Sequence, residues 1–137
     1  MMGNTISNKY INFEDMQYAI ANKDYIIINT LPENKQPCLI CGTLDMKNEE
    51  EILNTYLKSN KSIKIIVYGM NSQDSNVNKK YEQLLSLGFY NVFIYNGGLF
   101  EWLLLQDIYG KEIFLTTTQE RDILKYKGTQ QYNLRLL

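Results

Sequence analysis

The chain contains no histidine, so neither a Ser-His nor a Cys-His couple can form and no imidazole is available as a general base. It has two cysteines, Cys38 and Cys41, too few for a four-cysteine zinc site within one chain. Both of its prolines, Pro32 and Pro37, fall in residues 31–37, which therefore read as a loop. No apolar run is long enough to span a bilayer, and residues 1–12 lack the basic-then-apolar order of a secretory signal, so the expected location is intracellular, in the cytoplasm, with no membrane partner. A concentrated charge of one sign is also missing. The net charge is −1, and Lys79–Lys80 is the single adjacent basic pair, which suits a solvated face. A nucleic-acid partner is therefore not expected.

What remains is a chain of 137 residues, 45% hydrophobic and 21% charged, sized for one domain with a core between packed layers. Residues 25–28, 63–68 and 92–95 are short, nearly continuous β-branched and aromatic runs, the pattern of strands buried on both faces in a parallel sheet. Helical stripes lie between them. Val77, Tyr81, Leu84, Leu85 and Gly88 share one helix face, Ile52, Leu53, Tyr56 and Leu57 form a shorter stripe, and Phe13, Met16 and Ile20 a third. Gly88 is placed to end its helix, and Gly97–Gly98 to separate a strand from an apolar helix over 99–105. The alternation predicts an α/β fold, with a central, mostly parallel sheet and right-handed crossovers. Past Gln106 this rhythm stops; Thr117 and Glu120 have the spacing of a capping box and predict a short helix through Tyr126.

One segment has the architecture of a site. The strand ending at Tyr68 runs into Gly69, Met70, Asn71, Ser72, Gln73, Asp74 and Ser75, a loop of small and polar residues that feeds a helix. Ligands of open α/β sheets gather at the carboxyl ends of strands, and free N–H groups at a helix start attract anions.

Four segments resemble the rhodanese homology domain, over residues 10–106. Residues 25–31 resemble its early strand, Leu39-Ile40-Cys41-Gly42-Thr43 its His-Ile-Pro-Gly-Ala turn, and 65–68 the strand that carries its active loop. The most specific match is Leu87-Gly88-Phe89 with Val92, Gly97-Gly98 and Trp102, which resembles the family's closing Leu-Gly-Phe-x-x-Val, Gly-Gly and Trp pattern. The resemblance implies about five strands flanked by helices, a rhodanese-like domain over 1–106, and a C-terminal extension over 107–137 packed on or trailing it.

The loop departs from the family's pattern. Active members resemble one another in a Cys-x-x-Gly-x-Arg-Ser loop, whose cysteine carries a persulfide and whose arginine and N–H groups favour anionic substrates. Without a gap, the cysteine position is Gly69, the glycine position Ser72 and the arginine position Asp74, while Ser75 is kept. Gly69 has no side chain to carry sulfur. Asp74 places a negative charge where the family has a positive one, and a screened like-charge contact costs on the order of 1–3 kcal/mol. Asp74 or Ser75 can cap the following helix, and the carboxylate could stand in for the missing anion; the plainer alternative is an exposed residue at a helix start. The expectation is a catalytically inactive, protein-binding or regulatory module with no cofactor and no metal. The alternative is a residual sulfurtransferase or phosphatase-like enzyme acting at the 69–75 loop, although the superfamily's phosphatase branch also needs a loop cysteine and arginine.

Other candidates are weaker. Cys38 and Cys41 form a CxxC ahead of a turn, where ordinary thiols are favoured over a possible redox pair or a metal shared between two chains. Glu49, Glu50 and Glu51 fan around a helix start. Phe100, Trp102, Tyr109 and Phe114 suit a core better than a groove. The extension is expected to clasp the domain or to present a partner or self-association surface, with Tyr132, Leu134, Leu136 and Leu137 as apolar contacts, so a protein partner and a homo-oligomer are both open.

Overall fold

A computed structural model describes residues 9–132. Its strands are β1 (Tyr10–Ile11), β2 (Tyr25–Asn29), β3 (Lys64–Tyr68) and β4 (Val92–Tyr95), all parallel, in the order β1-β4-β3-β2. Its helices are α1 (Phe13–Ile20), α2 (Glu49–Ser59), α3 (Ser75–Leu87) and α4 (Gly98–Tyr109). The expected α/β fold with a parallel sheet is present.

Side chains of alternate strand residues leave opposite faces of the sheet, and each face builds its own core. Ile27, Ile66, Tyr68 and Tyr95 pack with Met16, Leu99, Trp102 and Phe114, the layer of α1 and α4. Ile26, Ile28, Ile65, Val67 and Ile94 pack with Leu53, Val77 and Leu84, the layer of α2 and α3. With both faces covered, the strands can dispense with a polar alternation, which is why they read as continuous apolar runs. Gly88 caps α3 in the left-handed region, φ +119°, donating to the carbonyls of Leu84 and Leu85.

Two expectations require correction. The sheet has four strands instead of about five. Beside β2 the chain turns at Ile40–Thr43, where Thr43 N donates to Ile40 O. Alongside β2 it leaves one bridge, Ile27 with Thr43, before departing towards α2. The helix expected from Thr117 and Glu120 is a 3-10 turn, Ile123–Tyr126. Thr117 cannot cap it, because its hydroxyl accepts from Leu39 N and donates to Pro37 O. Glu120 instead accepts from Asp122 N and pairs with Lys125.

Beyond α4 the chain folds back. Phe114 lies 5.1 Å from Trp102 and 5.7 Å from Phe13 between ring centroids, and Gln106 Nε2 donates to Phe114 O. Ile40 and Thr116 form an antiparallel bridge, and Tyr126 is fully buried. Of the expected terminal contacts, Tyr132 is exposed, while Leu134, Leu136 and Leu137 lie outside the described residues. Among the described residues, no helix is long and apolar enough to cross a membrane.

Candidate functional site

The loop between β3 and α3 sits where the sheet's carboxyl ends open. Tyr68 closes β3 with its ring buried; its hydroxyl accepts from Ile40 N and shares a 2.7 Å hydrogen bond with Thr43 Oγ1. Burial pushes the Tyr68 phenol well above its usual range. Gly69 follows, itself buried, and the chain then turns through half-buried Met70 and Asn71 and exposed Ser72 and Gln73 to Asp74, the N-cap of α3. Ser75 is the first helical residue, so Asp74 takes the capping role that could have fallen to either.

Asp74 reaches back into the loop as well as forward into the helix. Its Oδ1 accepts from Asn76 N at 3.0 Å. Its Oδ2 accepts from Met70 N and from Thr30 Oγ1, both at 3.1 Å. Asn71 does the same at the tip, its Oδ1 accepting from Gln73 N at 2.8 Å. Three backbone donors of the loop and helix start, on Met70, Gln73 and Asn76, are thus engaged by the loop's own side chains.

Two other segments hold this loop. The first turn of α4 donates to it, Leu99 N to Gly69 O at 2.9 Å and Phe100 N to Met70 O at 2.8 Å. That approach needs glycine at 98: φ is +69°, and a Cβ there would stand 2.8 Å from Gly69 O and 2.9 Å from Asn71 N. The chain after the 3-10 turn then crosses the loop tip. Asn71 Nδ2 donates to Tyr126 O at 2.8 Å, and Thr129 N donates to Gln73 Oε1 at 2.7 Å. Between this strap and the end of β2 lies an open groove of about 450 Å³, with Thr30, Pro32, Met70, Asp74, Asn76 and Lys127 in its wall. A larger groove, about 760 Å³, opens between α2 and α3, crossed by the Lys80–Glu49 ion pair.

The cysteines belong to a different part of the fold. Cys38 is buried, its thiol donates to Thr118 O at 3.4 Å, and burial pushes it above the usual thiol range. Cys41 is half-buried, both are free, and Cys41 N donates to Leu115 O. Neither lies in a helix, whose N-terminus would favour a thiolate. No cluster of three or more His, Cys, Asp or Glu side chains suited to a metal occurs among the described residues. Glu49, Glu50 and Glu51 occupy the first turn of α2. Of the aromatic set, Trp102 and Phe114 are core, Phe100 is half-buried and Tyr109 is exposed.

Sequence reasoning missed Thr30 and the close approach at Gly98; of the strap it held only the expectation that the extension clasps the domain. Thr30 is far from the loop in sequence and had no local signal. Gly98 carried one, the glycine pair, but read as a turn alone.

Comparisons with known proteins agree with this geometry. The rhodanese-like domain family matches residues 32–105, over half of the chain. No curated protein matches. The solution structure of the rhodanese-like domain of the Alr3790 protein from Anabaena sp. is 22% identical and covers 93% of this chain and 91% of its own, with a TM-score of 0.57. A crystal structure of the Alr3790 protein is 23% identical over 73% of this chain and 88% of its own, with a TM-score of 0.56. The crystal structure of the single-domain sulfurtransferase RDL2 from Saccharomyces cerevisiae is 16% identical over 77% and 97%, with a TM-score of 0.56. At these identities the structural likenesses speak for the fold alone, but together with the family match they lead to one statement: this chain belongs to the rhodanese-like domain family.

Proposed function

We propose that this rhodanese-like domain is non-catalytic and works as a protein-binding or regulatory module. One observation carries the reading: the place where a side chain of residue 69 would begin is occupied by the Asp74 carboxylate, 2.2 Å away. A sulfur carrier needs a thiolate presented to solvent inside a ring of free donors. Here the position has no side chain, and Met70 N and Asn76 N already serve Asp74. Neither cysteine substitutes readily, because Cys38 is buried with a raised pKa and both sit on the segment bonded to residues 115–118. The binding half of the reading is supported by the exposed apolar side chains of Ile108, Tyr109, Ile113 and Leu124, on and beyond the end of α4.

The deciding experiment is a thiosulfate–cyanide turnover assay on the full chain and on Cys38→Ser and Cys41→Ser variants. Turnover at the uncatalysed rate in all three is expected. Sustained turnover abolished by either serine substitution would establish a sulfurtransferase with a displaced nucleophile. For binding, tagged native protein and an Ile108→Asp variant are compared by affinity capture from the source cell. A partner retained by the first and lost by the second is expected; identical captures would remove this surface from consideration.

A further inference from the structure

We propose that Gly69 and Asp74 form one interlocked pair: Asp74 is the loop's built-in anionic ligand, and its place exists only because residue 69 has no side chain. Two features of the Asp74 carboxylate carry the pair. The first is bonding. The Asp74 carboxylate gathers three donors from three segments, Thr30 beyond β2, Met70 within the loop and Asn76 in the first turn of α3. A residue that only capped α3 would need the last of these alone. The second is space. A Cβ on residue 69 would meet Asp74 Oδ2 at 2.2 Å, Asp74 Cγ at 2.8 Å and Val77 Cγ2 at 2.7 Å. The obstructing oxygen is not the loose end of a long side chain; it is the atom that holds Met70 and Thr30. Swinging it aside breaks both contacts and leaves the Met70 N–H, in a half-buried residue, without its acceptor.

Two consequences follow. A side chain at 69 requires both the Asp74 carboxylate and the Val77 methyl to move. The loop also owes its shape to an anion supplied by its own chain. The pairing rests on the same Asp74 geometry as the non-catalytic reading, but the unfolding cycle tests only the pairing and the turnover assay only that reading.

A double-mutant cycle tests the pair, with Gly69→Ala, Asp74→Ala and the double variant compared by equilibrium unfolding of the full chain. Asp74→Ala alone is expected to raise the unfolding constant about fivefold or more. Gly69→Ala in the native background is expected to raise it on the order of tenfold to a hundredfold through overpacking. In the Asp74→Ala background the same change should have an effect at least about tenfold smaller, the signature of coupled neighbours. The Val77 contact is common to both legs and drops out of the comparison. Equal effects of Gly69→Ala in the two backgrounds would overturn the pairing. Should Gly69→Ala alone fail to fold, recovery of folded double variant supports the pair, and failure of both chains overturns it. Amide resonances separate a ligand from a simple helix cap. Asp74→Ala should move both Met70 and Asn76 and Asp74→Asn should move them less, whereas a shift confined to Asn76 would reduce Asp74 to a cap.

Discussion

Tyr68 and Tyr95 show how far single residues in this fold depart from their behaviour in water. Both phenols are held above the ordinary value of 10.0, first by burial, and Tyr95 also by its 2.6 Å hydrogen bond to the Glu101 carboxylate. In the unfolded chain these protons are lost near pH 10, while the folded chain keeps them. Their contribution to stability is therefore complete below about pH 10 and falls as pH rises beyond it. Urea midpoints measured from neutral to alkaline pH should decline through that range, with a shallower decline in Tyr95→Phe. A phenolate absorbance change assigned to Tyr68 or Tyr95 while the protein remains folded would contradict this. At the same scale, Gly69, Asp74 and Ser75 were identifiable from the sequence as a departure from the family's loop. That Asp74 points inward was not, because the direction of a side chain depends on donors brought by other segments.

Elements were legible where their pattern is local. The run read as 92–95 is β4, Phe13, Met16 and Ile20 lie in α1, and the stripe from Val77 ends at the capping residue Gly88. The two-residue strand β1 had no such pattern, since its pairing with β4 is a property of the partner strand. The start of α4 illustrates an element placed by contact. Its first N–H groups satisfy carbonyls of the 69–70 loop, and Gly98 lets the two backbones meet. Gly98→Ala combines an unfavourable φ with a Cβ 2.8 Å from a backbone oxygen, and should destabilise the protein by about 1–3 kcal/mol. An unchanged denaturation midpoint would show that the α4–loop contact is softer than described.

For the molecule as a whole, the family match ends at residue 105, yet the packing does not. Phe114 and Tyr126 are buried in the same core as Trp102 and Met16, and the strap that follows Tyr126 reaches the loop tip. The extension beyond Gln106 thus contributes to the core while passing over the candidate site. Phe114→Ala should cost about 3–5 kcal/mol and lower the midpoint of one cooperative transition. Two separate transitions in the native protein, or a near-neutral Phe114→Ala, would make the extension an appendage instead. By the same reasoning a chain ending at Gln106 is a poor test of partner binding, because it removes core along with surface; a substitution at exposed Ile108 removes no core side chain.

The sequence by itself determined the α/β class, the parallel arrangement of apolar strands, the family and the unusual composition of the 69–75 loop. These depend on period, on residue type and on short motifs, all of which are local. Tertiary structure alone decided that the sheet has four strands with a bridge where a fifth was expected, and that Thr117 faces Pro37 and Leu39 instead of opening a helix. It also decided that the Asp74 carboxylate fills the space beside Gly69. Each of those outcomes is a competition for hydrogen-bond partners or for volume between segments far apart in the chain. Such a competition has no periodicity to read, and its result exists only once the layers have packed.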